Sequence, residues 1–236
     1  MSDIQLSGNC YLRDSCWKYQ NKDTSCRESD IFCPRFFRMN YLYEQSLMSV
    51  KQRQHKPLRL DADGTDLDQF NMLKSIEENI EQFVSQGTNL YIHSPISGNG
   101  KTEWSLRLLQ SYISKIWFKS DLRCRVLFIN VPRYLISLKE SITTPSEYVS
   151  HIKKNIFDAD IVVFDELGIK AATTFEFENL LNFINTRIDL GKSNIYTSNM
   201  TSTELNDRLG SRLYSRIQNM SVDIELKGSD KRGLKL

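Results

Sequence analysis

Residues 94–102 read SPISGNGKT. The stretch lies between a short apolar run, NLYIH at 89–93, and a segment at 102–118, TEWSLRLLQSYISKIWF, whose apolar residues recur at helical spacing. Strand, glycine-bearing loop and helix in this order form the setting in which backbone N–H groups converge on a phosphate at a helix N-terminus. The pattern for such a loop is G-x-x-x-x-G-K-[ST]. Gly100, Lys101 and Thr102 match it, while Pro95 stands where the first glycine belongs. Gly98 and Gly100 occupy the places where a side chain would obstruct the turn or the ligand. Pro95 cannot donate an N–H, but it stands at the strand exit, before the tightest part of the loop. The expectation is that Ser97, Gly98, Asn99 and Gly100 wrap a phosphate, that Lys101 reaches the terminal phosphates, and that the Thr102 hydroxyl takes a Mg²⁺ position.

Further along, ADIVVFDELG at 159–168 is an apolar strand that delivers two carboxylates at its tip. Asp165 is placed to hold Mg²⁺ and Glu166 to orient or deprotonate an attacking water, in the crevice outside the carboxyl ends of a parallel sheet. NIYTSNM at 194–200 is another strand, ending in Thr197, Ser198 and Asn199, with Asn199 a candidate to fix the lytic water. In DRLGSRLYSRI at 207–217, Arg208, Arg212 and Arg216 recur at i, i+4 and i+8, as on one helical face. Such a face is ordinarily a solvated surface; its position just after the polar strand would also let an arginine reach the γ-phosphate of a neighbouring subunit.

Between these motifs the elements alternate regularly. Phe70, Leu73, Ile76, Ile80, Phe83 and Val84 predict an amphipathic helix that stops at Gly87. A strand follows at RVLFINV, then helical material from about Arg133 to Asn155 interrupted near Pro145, and a helix at 175–191, FEFENLLNFINTRIDLG. Several strands are continuously apolar, which implies a parallel sheet covered on both faces, so the fold class is α/β. The 236 residues carry 40% hydrophobic and 25% charged side chains, enough to bury a full-sized core. A net charge of +2 excludes binding nucleic acid through bulk charge alone. No apolar run approaches the roughly 20 residues needed to span a bilayer, and a cytoplasmic location is expected.

Four of the five cysteines, Cys10, Cys16, Cys26 and Cys33, lie in the first 33 residues. In a reducing compartment such a cluster points to metal rather than disulfides, and four thiolates can close a tetrahedral Zn²⁺ site; the bland alternative is four free thiols. Cys124, beside an apolar run, reads as a core residue. The division expected is a small zinc-binding domain over 1–49, a linker over 50–68 that is basic and then acidic, and the α/β domain over 69–236.

SGNGKT, IVVFDELG, YTSN and RLGSRLYSRI, in this order, resemble the P-loop, Walker B, sensor 1 and arginine-finger elements of AAA+ ATPases, and specifically of the bacterial and phage replicative-helicase loaders of the DnaC/DnaI type. The resemblance covers about residues 69–226. It implies an ATPase that binds a hexameric replicative helicase through its N-terminal domain, assists its placement on single-stranded DNA and self-associates through the ATPase domain. Lys101, Thr102, Asp165 and Glu166 would then serve ATP, Mg²⁺ and hydrolysis, Asn199 would be sensor 1, and Arg212 or Arg216 the finger. The four cysteines would correspond to the zinc-binding N-terminal domain of the DnaI-like branch, and Arg232 is a weak substitute for a sensor 2 arginine. Arg133, Lys139, His151, Lys153 and Lys154, near Tyr134 and Tyr148, are candidates to track single strands by charge and stacking, as against ordinary solvated helix faces. Two other readings share these motifs: a transposition-helper ATPase, and an adaptor that binds ATP without hydrolysing it.

Overall fold

The computed structural model describes residues 33–54, 56–61, 63–119, 121–168 and 173–231. Among them a five-stranded, fully parallel sheet forms the centre, in the order β2-β3-β4-β1-β5. Its strands are β1 (Asn89–His93), β2 (Val126–Asn130), β3 (Ile161–Asp165), β4 (Ser193–Ser198) and β5 (Ser221–Glu225). In chain order the helices are α1 (Pro34–Gln45), α2 (Leu67–Glu78), α3 (Ile80–Ser85), α4 (Lys101–Ile116), α5 (Val131–Glu140), α6 (Glu147–Asn155), α7 (Thr174–Asp189) and α8 (Ser202–Asn219). Because side chains alternate across a strand, each continuously apolar strand feeds two cores. Leu90, Ile92, Val126, Phe128, Ile161, Val163 and Ile195 pack with α1 to α4 on one face, and Tyr91, Leu127, Ile129, Val162, Phe164 and Tyr196 with α5 to α8 on the other.

The predicted strands β1 to β4 are present. β5 is an addition: it lies at the edge beside β1, and its only inward residues are Val222 and Ile224, with Leu226 following, a short alternation inside a polar segment. The helix predicted from Phe70 to Gly87 is broken at Asn79, which leaves helical geometry (φ −106°, ψ 26°) and turns its side-chain amide onto the Ser75 carbonyl at 3.0 Å. Gly87 does end it, at φ 65°; a Cβ there would meet the Gly191 carbonyl oxygen at 2.4 Å, so no other residue fits. The helical material after β2 is α5 and α6, separated at residues 141–146 as Pro145 required.

Part of the segment expected to accompany the cysteines shares the core of the sheet. Met39, Leu42 and Tyr43 of α1 are buried in the α4 face, and the Ser46 carbonyl accepts from the Phe128 N–H in β2 at 2.8 Å. Residues 56–59, in the expected linker, line one cleft together with the loop that follows β1. Cys124 is buried, as expected of a core residue, and burial pushes its thiol up to about 12. Arg187 of α7 is wholly buried on the other face. Its Nε donates to Asn194 Oδ1 at 2.6 Å, one terminal nitrogen to the carbonyls of Ile156 (2.5 Å) and Ala159 (2.8 Å), and the other to that of Ser193 (2.7 Å). Burial lowers its pKa to about 10, which still leaves it a cation at neutral pH, stapling α6, β3 and β4 together at the end of the sheet away from the strand tips.

Candidate nucleotide site

The loop of residues 94–100 leaves the carboxyl end of β1 and enters α4 at Lys101. Gly98 and Gly100 take φ of 77° and 110°, in the region that favours glycine, and Pro95 does not. Pro95 is exposed at the strand exit, so the missing glycine falls where the loop makes no left-handed turn. Ser97 is exposed on the loop's outer side. Asn99 is buried and braces the loop: its Nδ2 donates to Ser94 Oγ at 2.8 Å and to the Leu226 carbonyl at 3.3 Å. The Lys101 side chain is 6% exposed, with its ammonium inside the loop, donating to the Ile96 carbonyl at 2.7 Å and to Asn99 Oδ1 at 3.1 Å. A cation held there faces whatever the loop's N–H groups surround.

Sheet register brings the second motif to the first. Thr102, on the first turn of α4, donates its hydroxyl to Asp165 Oδ1 at 2.9 Å, and Thr197, near the end of β4, donates to the same oxygen at 2.7 Å. Asp165 is 3% exposed; burial raises its pKa, opposed by the hydrogen bonds from Thr197 and Thr102 and reinforced by the neighbouring Glu166 charge. A buried carboxylate beside a threonine hydroxyl is a donor set of two hard oxygens, which suits Mg²⁺ sharing the rest of its octahedron with waters and phosphate oxygens. The described residues assemble no group of three or more His, Cys, Asp or Glu that could hold a metal by themselves.

Adjacent strand residues face opposite ways, so Asp165 and Glu166 would diverge if β3 simply continued. It does not: Glu166 adopts φ 63°, a left-handed conformation for a non-glycine residue, which costs about 1–3 kcal/mol and is sustained here by specific bonds. Its N–H donates to Thr197 Oγ1 at 3.0 Å, and its carboxylate accepts from Asn130 Nδ2 at 2.8 Å. Asn130, the last residue of β2, is fixed in turn by accepting the Arg133 N–H, capping α5. Thr197 and Asn130 thus aim the two carboxylates. Thr197 was named in the sequence only as part of a polar strand end, and Asn130 was not singled out; its only signal was its place at the end of a strand running directly into a helix.

The other predicted residues fall variously. Asn199 lies just past β4, half-buried, on the same edge of the sheet as Asp165. Arg208, Arg212 and Arg216 do not form one helical face. Gly210, at φ 71° and ψ 150°, breaks α8 between Arg208 and the other two. Arg212 is exposed, and Arg216 pairs with Asp189 at 3.1 Å. Tyr134 is wholly buried, so it cannot stack on a base, and His151 turns inward to the Gln45 carbonyl at 2.8 Å. Tyr148 is half-buried beneath the Arg133 guanidinium, 4.5 Å from its ring centre, while Lys139, Lys153 and Lys154 are exposed. His93 is a packing residue, stacked on Tyr91 and paired with Asp223 at 2.9 Å. Cys10, Cys16, Cys26 and Arg232 lie outside the described residues, and Cys33 is half-buried just before α1.

Beside the loop opens a cleft of about 440 Å³, within the range of small-molecule sites. It is lined by Gly98, Asn99 and Gly100 of the loop, by Trp104 of α4, by Pro57 to Arg59, and by Lys231. The sequence placed residues 56–59 in a linker; nothing in their composition showed that they face the loop.

A parallel sheet with β1 between β4 and β5, a glycine-bearing loop after β1 and paired carboxylates after β3 match the α/β fold of the AAA+ type. The chain has the AAA+ fold of the DnaC/DnaI-type helicase loaders. It superposes on the crystal structure of the DnaC helicase loader at TM-score 0.50 and 22% identity, over 63% of this chain and 86% of that one. DnaI aligns at TM-score 0.58 and 17% identity, over 79% and 95% of the two chains. AMPPCP-bound DnaA from Aquifex aeolicus aligns at 0.52 and 19%, over 71% of this chain and 48% of that one. No protein-family model and no curated protein sequence matches the chain.

Proposed function

We infer that the chain is an ATP-dependent loader of a hexameric replicative helicase onto single-stranded DNA. The observation that carries the enzymatic half is the joined set Lys101, Thr102, Asp165 and Glu166, held by Thr197 and Asn130. Mg²⁺, when bound, would neutralise charge on the phosphates, with Thr102 and Asp165 holding it and its waters. The chain's own part is to grip the phosphates with the N–H groups of 97–102 and the Lys101 ammonium, and to aim Glu166 at a water in line with the terminal phosphate. Asn199 would fix that water from β4. Arg212 is the better-placed of the two finger candidates, being exposed on α8 while Arg216 is engaged by Asp189.

The loader half is supported by the fold shared with DnaC and DnaI, and the single-stranded DNA half by the likeness to DnaA bound to AMPPCP and single-stranded DNA. Exposed Arg133 and Lys139 on α5 and Lys153 and Lys154 on α6 would supply basic groups for that strand. Cys10, Cys16, Cys26 and Cys33 would hold a structural Zn²⁺ in a helicase-docking module, checked by metal content: about one zinc per chain is expected. The test of the function is a loading assay in which helicase is transferred to a single-stranded circle coated with binding protein. Loading that requires the chain and ATP is expected, and loading indifferent to the chain would refute it. Loss of helicase co-purification on Cys26→Ser is expected if the cysteine module makes the contact.

A further inference from the structure

After β5 the chain does not leave the nucleotide site. The Leu226 N–H donates to the His93 carbonyl at 2.9 Å, and the chain then runs on to Lys231, which lines the cleft. Two carboxylates from the segment before α2 hold it there. Asp66 accepts the Lys227 N–H at 2.8 Å and the Gly228 N–H at 2.7 Å, one on each oxygen. Asp61 accepts the Ser229 N–H at 2.9 Å and its hydroxyl at 2.6 Å. Gly228 is buried between them, where a Cβ would sit 2.4 Å from one carboxylate and 2.7 Å from the other. Asp66 stands at the N-cap of α2 with φ 67°, yet gives that helix no side-chain cap bond; its carboxylate is turned to residues 227–228 instead. At the far end the Lys231 N–H donates to the Gly98 carbonyl of the phosphate loop at 3.0 Å, and its ammonium to the Arg59 carbonyl at 2.7 Å.

We propose that residues 226–231 are a strap that retains the nucleoside half of the bound nucleotide, with Asp61 and Asp66 as its anchors and Lys231 as the fastening to the phosphate loop. The inference rests on the reading of 94–102 as the phosphate-binding loop. With phosphates in that loop, the base and ribose would enter the 440 Å³ cleft, which Gly98, Asn99 and Gly100 line. Lys231, at the end of the strap, lines that cleft and ties its Gly98 side to its Arg59 side, so release requires that bridge to open, and the anchors set how often it does. Asp61 and Asp66 are positioning residues: neither lines the cleft, and they act on it through the strap.

The test is stopped-flow release of mantADP from the full chain, comparing wild type with Asp61→Asn/Asp66→Asn and, separately, Lys231→Pro. The last removes both the N–H to Gly98 and the ammonium to the Arg59 carbonyl while keeping both anchors. Release is expected to quicken about fivefold or more in both, with association changed about twofold at most, since changes within one site act mainly on dissociation. The melting temperature of the nucleotide-free Lys231→Pro variant should stay near that of wild type. A general loss of structure would instead lower it and slow association, which would overturn the proposal. Unchanged release in folded variants overturns the strap alone, and a wild type that binds no mantADP overturns the nucleotide site with it. Should the aspartate variant not fold, Lys231→Pro decides.

Discussion

Replacing Thr197 with valine keeps the shape of a side chain that is 2% exposed and removes its hydroxyl. That hydroxyl donates to Asp165 at 2.7 Å and accepts from the Glu166 N–H at 3.0 Å, so one substitution unties both carboxylates. A hydrogen bond to a charged group contributes about 1.5–3 kcal/mol, and an orphaned buried N–H costs about 1–3 kcal/mol. A loss of about 3 kcal/mol or more follows, and at about 2–4 °C per kcal/mol for a chain of this size the melting temperature should fall by about 6–12 °C. If only the Asp165 bond matters to turnover, kcat should drop about 10- to 100-fold. A sign also follows for pH. The Thr197 hydrogen bond is one of the influences that hold the Asp165 pKa down against burial, so its loss raises that pKa further. Asp165 must be ionised to hold Mg²⁺, hence the acid limb of activity should move to higher pH in Thr197→Val. Thr197→Ser, which keeps the hydroxyl, should recover both the limb and most of the rate. Differential scanning fluorimetry and a pH series of phosphate release read all three effects. A valine variant as stable and active as wild type, or a serine variant as impaired as valine, refutes the reasoning.

The raised Asp165 pKa also means that its ionised form burdens the folded state above that pKa and ceases to do so once protonated at lower pH. Asp165→Asn keeps an oxygen for Thr102 and Thr197 while removing the charge, so the metal-free protein should melt higher at neutral pH, with the gain vanishing on acidification, even as ATP turnover is lost. Arg187→Met strands three carbonyls and the Asn194 oxygen inside the core; a loss of about 3–5 kcal/mol in urea unfolding is expected, with nucleotide affinity of the folded fraction unchanged. Pro95→Gly should cost about 0.4–1 kcal/mol through the freer unfolded chain and leave turnover as it was, because Pro95 is exposed and the loop's left-handed turns are at Gly98 and Gly100. Slower or faster hydrolysis in that variant would show that the strand exit governs the loop.

What the sequence made legible is what backbone geometry forces onto residue type. Gly98 and Gly100 had to be glycines because their φ values are positive, and the apolar runs of β1 to β4 had to be continuous because the sheet is covered on both faces. Asp165 and Glu166 were legible as a pair at a strand tip, but not the left-handed turn that lets them act together, since that turn is enforced by Thr197 and Asn130 from two other strands. The same limit hid β5, an edge strand with few inward residues, and the cleft lining at residues 56–59. Periodicity misled at Arg208, Arg212 and Arg216, where i, i+4, i+8 spacing presumes an unbroken helix and Gly210 breaks it. Nearness in sequence to basic residues misled at Tyr134, whose ring belongs to the core. Long-range contacts decide each of these, and they are not encoded in local spacing.

The central claim is that Lys101 and Glu166 belong to a working ATPase whose activity serves a helicase. The most direct measurement is ATP turnover by the full chain with single-stranded DNA and the cognate replicative helicase present, for wild type, Lys101→Ala and Glu166→Gln. Turnover stimulated by helicase and strand in the wild type, and abolished in both variants with ATP still bound by Glu166→Gln, is predicted. A wild type that binds ATP but shows no turnover under any combination of partners would contradict it.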